Sequence, residues 1–300
     1  SIGNGTASKE SEIFIAELIR EIREETGREV SYAVVSEAGA SVYSASPLAA
    51  EEFPDFDVAE RSAVSIARRL QDPLSELIKI DPKSIGVGQY QHDMDKKRLD
   101  FVLAGVLEDC VNSVGVDANT ASVSLLRYVA GLNAGVAKNI VAYREQNGKF
   151  TNRKQILNVP KLGEKAFTQC AGFLRIADGD NILDNTAVHP ESYEAAEKLL
   201  KLFGYTDGDV KAGKIADLPE KVKAYGEARA AEETGLDVPT LKDVVSELIK
   251  PGRDVRDSLP KPVLRSDVMD IKDLVSGMEL VGTVRNVVDF GAFIDIGVHQ

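Results

Sequence analysis

Tyr128 to Phe150 reads YVAGLNAGVAKNIVAYREQNGKF. Apolar residues at helical spacing on both sides of Gly131, Leu132 and Asn133 predict two helices joined by a tight turn, the second one basic. Such a turn can aim unpaired backbone N–H groups outward, where an anion gains hydrogen bonds and the favourable end of a helix dipole together. A phosphate backbone held in this way is gripped without any base being read. The plainer alternative is a packing αα-hairpin whose glycines only allow the turn. A second helix pair follows directly, Asn152 to Asn158 and Glu164 to Phe173, joined through VPKLG.

Charge is distributed in the same way. The chain has 300 residues and a net charge of −12, which argues against a uniformly basic nucleic-acid binder. Residues 127 to 175 nevertheless carry Arg127, Lys138, Arg144, Lys149, Arg153, Lys154, Lys161, Lys165 and Arg175 against Glu145 and Glu164. This local +7 lies on the two hairpins, and −19 remains for everything else. Electrostatic attraction acts locally, so the average conceals the basic island.

The length and the 43% hydrophobic content imply a multidomain, mainly helical protein with more than one core. Cys110 and Cys170 both sit in segments of helical apolar spacing and read as buried small hydrophobes, which fits a reducing cytoplasm. No apolar run approaches the roughly 20 residues that cross a bilayer, and no basic start precedes an apolar stretch. Membrane insertion and secretion are therefore not expected. The chain starts SIGNGTAS and stops at GVHQ inside an alternating pattern, and is read as a fragment.

Along the chain, Ser8 is expected to cap a helix with apolar positions Ile13, Phe14, Leu18, Ile19 and Ile22, ending near Gly27. Tyr32 to Val35 reads as a buried strand, and Val58 to Leu70 as an amphipathic helix stopped by Asp72 and Pro73. Helix, strand and helix over residues 1–75 suggest part of an α/β domain. A connecting region, 76–115, contains a helix from about Asp95 to Gly115 with a stripe of Leu99, Val102, Leu103, Val106, Leu107, Cys110, Val111 and Val114. Its expected role is to brace the hairpins. The hairpin domain spans 116–178, with its first helix from about Thr120 to Ala130, its second from about Gly135 to Asn147, and Gly148 as a left-handed stop. An acidic helical domain covers 184–252, interrupted at GYTDGDVKAG and GLDVP. Residues 253–273 read as a linker rich in Pro and charge. Residues 274–300 alternate as about three strands of a small antiparallel barrel, with Gly282, Gly291 and Gly297 at bends.

GLNAGVAKNIVAYREQNGKF resembles the helix-hairpin-helix motif of non-specific DNA-binding domains in competence and repair proteins. That family usually has glycine where this chain has Asn133, a residue that tolerates positive φ. The resemblance implies phosphate contacts from Gly131, Leu132, Asn133, Gly135 and Lys138, with Leu132 packing between the helices. In the second motif it implies contacts from Lys161, Leu162, Gly163 and Lys165. GMELVGTVRNVVDFGAFIDIGV resembles the start of an S1-type OB fold, whose aromatic pair Phe290 and Phe293 would stack single-stranded bases. Alternation along a strand places at least one of the two in the core.

Taken in order, SIGNGTASKESE, VVSEAGASVYSAS, KSIGVGQYQHDMDKKRLD, the hairpins, NTAVHPESY and the barrel start resemble the Tex family of bacterial transcription accessory proteins. This implies a partial RNase-H-like domain of the YqgF type, tandem helix-hairpin-helix domains and a truncated OB fold. It also implies a factor that binds RNA or DNA, with RNA polymerase or ribosome-associated proteins as further partners. A protein-interaction scaffold built on the acidic helices is the alternative in which the hairpins merely pack.

A nuclease of the RNase-H type needs several carboxylates around two metal ions. Glu37 matches one of them. The family's first aspartate would lie on a strand upstream of residue 1, and Ser62 stands where its later one should, with Glu60 two residues away. The set is incomplete, so no catalytic residue, metal or cofactor is expected. Gly3 with Gly5, and Gly86 with Gly88, read as turns, Asp93 or Asp95 as a helix cap beside His92, and His189 as a helix start.

Overall fold

The computed structural model describes residues 1–249, 264, 269–270, 274–280, 282–296 and 298–299. The chain divides into two units, residues 1–80 with 261–300, and residues 81–260.

In the first unit β1 (Ile2–Gly3) runs parallel to β2 (Val34–Val35), with Ile2 opposite Val34. Between them lies α1 (Ser8–Thr26), ended by Gly27 at φ 68. Ala7, rather than Ser8, is its N-cap, and no side chain caps it. The face turned inward is Glu12, Ala16 and Ile19, whereas Ile13, Phe14 and Leu18 are exposed. Ile19 packs with Ile2 and Tyr32, and the Tyr32 hydroxyl donates to Glu12 at 3.1 Å.

After the turn at Gly39 come α2 (Ala40–Ser44), α3 (Pro47–Glu52), α4 (Val58–Gln71) and α5 (Pro73–Leu77). Helix α4 starts as expected from its sequence. Asp57 accepts from the Glu60 amide while the Glu60 carboxylate accepts from the Asp57 amide, a reciprocal box that satisfies two otherwise orphaned donors. Asp72 closes α4 and caps α5. Arg69 is buried and donates to the carbonyls of Ser36 and Ala38, which fixes the bend after β2.

The second unit opens with α6 (Pro82–Ile85) and α7 (Lys96–Val114), the latter capped by Asp95 as its sequence suggests. The apolar stripe of α7 does not form a buried seam. Val111 is buried, but Val102 and Val106 are half exposed, and Cys110 is exposed rather than internal. Cys170 is buried, and loss of water around it pushes its thiol pKa up to about 12.

A hairpin module follows, made of β3 (Val116–Asp117), α8 (Val123–Leu126), α9 (Ala134–Asn147), a 3₁₀ turn (Arg153–Asn158), α10 (Glu164–Cys170) and β4 (Leu174–Arg175). Its ends meet in the parallel pair β3–β4, with Val116 opposite Leu174. The helix expected over Thr120 to Ala130 is a single turn, because tight bonds from the Tyr128 and Val129 amides to Leu125 and Leu126 replace helical ones. Gly148 has a positive φ, 86°, but its ψ of −179° is extended, so it stops α9 without the left-handed helical conformation expected for it.

Two 3₁₀ turns (Ile182–Asn185 and Pro190–Ser192) lead into α11 (Tyr193–Leu202), α12 (Asp207–Lys211), α13 (Leu218–Tyr225), α14 (Glu227–Thr234) and α15 (Val238–Leu248). Leu199, Val210, Leu218, Ala230, Leu241 and Leu248 meet in their shared core. His189 starts the second of these 3₁₀ turns by accepting from the Glu191 amide.

In the C-terminal part, β6 (Thr283–Val288) and β7 (Gly291–Asp295) form an antiparallel hairpin with an irregularity between Val284 and Asn286. β5 (Met269–Asp270) pairs with β8 (Val298–His299), and this pair is parallel rather than antiparallel. Most of the expected linker, and Gly297, lie outside the described residues.

Candidate nucleic-acid interface

The two expected turns share one backbone frame. In the first, Gly131 has φ 82, the Leu132 amide donates to the Val129 carbonyl at 3.0 Å, and Asn133 is extended as the N-cap of α9. In the second, Lys161 has φ 66, the Leu162 amide donates to the Val159 carbonyl at 3.1 Å, and Gly163 is extended as the N-cap of α10. Leu162 is buried and Leu132 half-buried, so each anchors its turn from below.

The turns also hold each other. A methyl group at Gly131 would fall 2.6 Å from Cβ of Gln169 on α10, so the glycine serves close approach as well as positive φ. In return Asn139 on α9 donates to the Pro160 carbonyl at 2.7 Å. Asn139 and Gln169 occupy matching places in the two halves, and neither was singled out from the sequence. The signal that could have found them is the thirty-residue offset that relates Gly131 to Lys161 and Asn139 to Gln169.

Asn133 does not adopt the positive φ expected for it. Its φ is −113°, and its Oδ1 accepts from the Gly135 and Val136 amides, both at 3.0 Å. The side chain therefore satisfies donors that were expected to face outward. Gly163 has no side chain, and no side-chain acceptor caps α10.

Six cations of the basic island are exposed: Arg127, Lys138, Lys149, Lys154, Lys161 and Lys165. Arg153 is not among them. It is 1% exposed, and its guanidinium donates to the carbonyls of Leu174, Leu183, Thr186 and Val188 and to the Tyr193 hydroxyl. Arg144 is half-buried, donates to the Ala118 carbonyl, and has its pKa lowered by desolvation. Counting charges along the chain thus overstated the island facing solvent.

The acidic helices hold two turns of related torsions but different hydrogen bonding, since the amides of Tyr205 and Leu236 reach back to the carbonyls of Leu200 and Ala231 rather than three residues. Gly204 at φ 75 precedes Tyr205 and the extended N-cap Thr206, and Gly235 at φ 77 precedes Leu236 and the extended N-cap Asp237. Both caps are closed by side chains. Thr206 accepts from the Asp209 amide and Asp237 from the Thr240 amide. The echo of GLNAG in GYTDG and GLDVP is the sequence signal for these turns.

Phe290, at the tip between β6 and β7, is 86% exposed, and Phe293 is 56% exposed. Neither belongs to a core, contrary to the alternation argument. Their ring centroids lie 6.4 Å apart with the planes nearly perpendicular. Glu37 and Glu60, the carboxylates weighed for a nuclease, have local roles. Glu37 is exposed and lies against the backbone of Gly3 and Gly5, where a methyl group would fall 2.4 and 2.0 Å from its carboxylate oxygens. Glu60 is engaged in the α4 capping box. Among the described residues no group of three His, Cys, Asp or Glu is placed to hold a metal ion, and no helix is long and apolar enough to cross a membrane.

Comparison with known families places a Tex protein YqgF-like domain over residues 1–71, a helix-hairpin-helix motif over 111–175 and an HHH domain over 181–256. The whole chain is 55% identical to the uncharacterised protein YdcI of Bacillus subtilis (strain 168), over 41% of that protein's length. It is 54% identical to the transcriptional accessory protein Tex of Neisseria gonorrhoeae, over 38% of its length. An alignment of 352 residues with the human S1 RNA-binding domain-containing protein 1 shows 41% identity and covers 35% of that protein. The chain thus spans about two fifths of the bacterial relatives it matches. A Tex protein YqgF-like domain, a helix-hairpin-helix motif and an HHH domain, with identity above one half from end to end, make this chain a segment of a Tex-family protein.

Proposed function

We propose that this protein binds RNA or DNA by the phosphate backbone, largely without sequence preference, as part of a transcription accessory factor. The observation that carries the reading is Lys161. Among the described residues it is the one non-glycine with positive φ, and it stands where the three other turns have Gly131, Gly204 and Gly235. Glycine would relieve strain on the order of 1 kcal/mol there. A lysine kept in that conformation presents its ammonium group beside the turn, and Lys165 follows one helical turn on.

Gly163 supports the same reading. Its φ of −87° suits any residue, and a methyl group added to it would meet nothing within 4 Å. Neither backbone nor packing calls for glycine at a position where Ser, Thr, Asp or Asn would cap the helix better. Without a side chain, the amides after it remain open to an external anion.

The exposed Phe290 and Phe293 would add base stacking in an OB-type barrel, and residues 1–71 would form an RNase-H-like domain without catalytic role. Metal-dependent cleavage abolished by Glu37→Gln would overturn that last assignment. A cytoplasmic setting with RNA polymerase or ribosome-associated partners completes the proposal. The capped, acidic turns at Thr206 and Asp237 favour a second role for residues 181–249 as a protein-docking scaffold.

The test is titration with single-stranded RNA, single-stranded DNA and duplex DNA at two salt concentrations. Log K is expected to fall linearly with log salt, by roughly 0.7 per phosphate contact for a single strand. The double variant Lys161→Glu, Lys165→Glu should weaken binding and flatten that slope. An unchanged slope would count decisively against the hairpin site.

A further inference from the structure

The second turn keeps a lysine in a conformation that favours glycine, and a side chain from the first hairpin holds the peptide bond in front of it. We infer that Asn139 is a positioning residue for the phosphate site. By fixing the Pro160–Lys161 peptide, it decides whether the second turn offers an amide N–H or a carbonyl oxygen to a polyanion. The inference rests on the phosphate-binding reading above.

The turn type follows from three facts. The Leu162 amide donates to the Val159 carbonyl at 3.1 Å, the ring of Pro160 fixes a negative φ at the second position, and Lys161 at the third has φ 66. This is a type II turn, whose third position calls for Gly or Asn. Proline suits the second position of a type I turn equally well. There the third residue has φ of about −90°, which a lysine adopts without strain. The two forms differ mainly by a half rotation of the central peptide, so the sequence Val159 to Leu162 on its own favours type I.

Asn139 opposes that preference. It is half-buried on α9, and its Nδ2 donates to the Pro160 carbonyl at 2.7 Å. A flip to type I would turn this oxygen away and part donor from acceptor. In a planar trans peptide the carbonyl and the next amide point in opposite directions. With the Pro160 oxygen held on α9, the Lys161 N–H therefore points away from the helix, where it can serve a phosphate together with the Lys161 ammonium group. In the flipped form a carbonyl oxygen would take its place and repel the phosphate. Gly131 in the first turn requires no such support, because glycine enters the left-handed region without steric cost. Helix α9 of the first hairpin thus sets the grip of the second.

The experiment uses the 300-residue chain, with thermal melts to verify folding. Asn139→Ala removes the donor, and Asn139→Leu, of similar volume, takes its place should the alanine variant melt early. The NOE between Pro160 Hα and the Lys161 amide proton, strong in a type II turn and weak in type I, reports the peptide. Titration of labelled oligouridylate reports the grip. The substitution is expected to weaken that NOE and to loosen binding severalfold. In a Lys161→Gly background it should change neither, since glycine keeps the turn in type II unaided. If the NOE persists without Asn139, or if affinity holds despite its loss while Lys161→Glu, Lys165→Glu binds more weakly, the inference is overturned. If the lysine double variant also leaves binding unchanged, the phosphate reading itself falls, whatever the NOE shows.

Discussion

Arg153 Nη1 donates to the phenol oxygen of Tyr193 at 2.7 Å, across forty residues of chain. The same hydroxyl donates to Asp184, whose other oxygen accepts from the Arg153 amide. With four carbonyls between Leu174 and Val188 on the remaining guanidinium hydrogens, one buried side chain joins the basic hairpin module to the acidic one. Burial raises the pKa of Tyr193 above its ordinary value, so its hydroxyl stays protonated and able to donate to Asp184.

Arg153→Met is expected to destabilise the chain by at least about 3 kcal/mol, since several buried acceptors would lose their donor together. Arg153→Lys should recover little of this, because a point charge cannot serve a fork of acceptors. Urea unfolding, with the two modules followed separately by hydrogen exchange, measures both.

Lys161→Gly should raise stability by about 1 kcal/mol through relief of its positive φ. The same variant should bind nucleic acid more weakly. A melt and a titration on one preparation check the pair of effects, and a variant that gains neither stability nor loses affinity would remove the functional reason for the lysine.

Gly131→Ala faces two penalties, a left-handed backbone at φ 82 and a clash with Gln169. A cost of about 2–4 kcal/mol is expected from strain and overpacking combined. Gly235→Ala, also at positive φ (77°) but with nothing within 4 Å, should cost less. The difference between the two melts isolates the contact between the hairpins.

The Asp237 carboxyl lies below its ordinary pKa of 3.8, chiefly because it accepts a hydrogen bond from the Thr240 side chain and also its amide. Its contribution to the start of α15 is present in full above the unfolded pKa, and is lost as pH falls through the lower folded value. Asp209, held down by Thr206, behaves in the same direction at α12. Acid titration should therefore loosen the acidic module below about pH 4. Asp237→Asn should remove its share of that dependence, as read by carboxyl NMR shifts and amide exchange.

Phe290→Ala and Phe293→Ala should leave the melting temperature nearly unchanged, as both rings are exposed. If they stack bases, each substitution should cost about 1–3 kcal/mol in affinity for a single strand and little for a duplex.

Much of this was legible in the residues themselves. Gly131, the cap Asp95 and the start of α4 at Val58 declared their turns and helix starts because those effects are local. Asn133 was misjudged because asparagine suits both a left-handed residue and an N-cap, and only the path of α9 decides between them. Arg153 read as surface charge because its acceptors lie between Leu174 and Tyr193, beyond any local window. The stripes of α1 and α7 were visible as apolar periodicity, yet Phe14, Val102 and Val106 remain exposed among the described residues. Periodicity marks a face fit for burial, and packing determines which face is covered.

The turns at Gly131 and Lys161 share a positive φ and an amide bond three residues back, although Asn133 caps the helix after one and Gly163 begins the helix after the other. Shape and charge are therefore inherited separately in this chain. In the proposed phosphate-binding role, a substitution at a cap would therefore change the charge a turn presents while leaving the torsions that shape it in place.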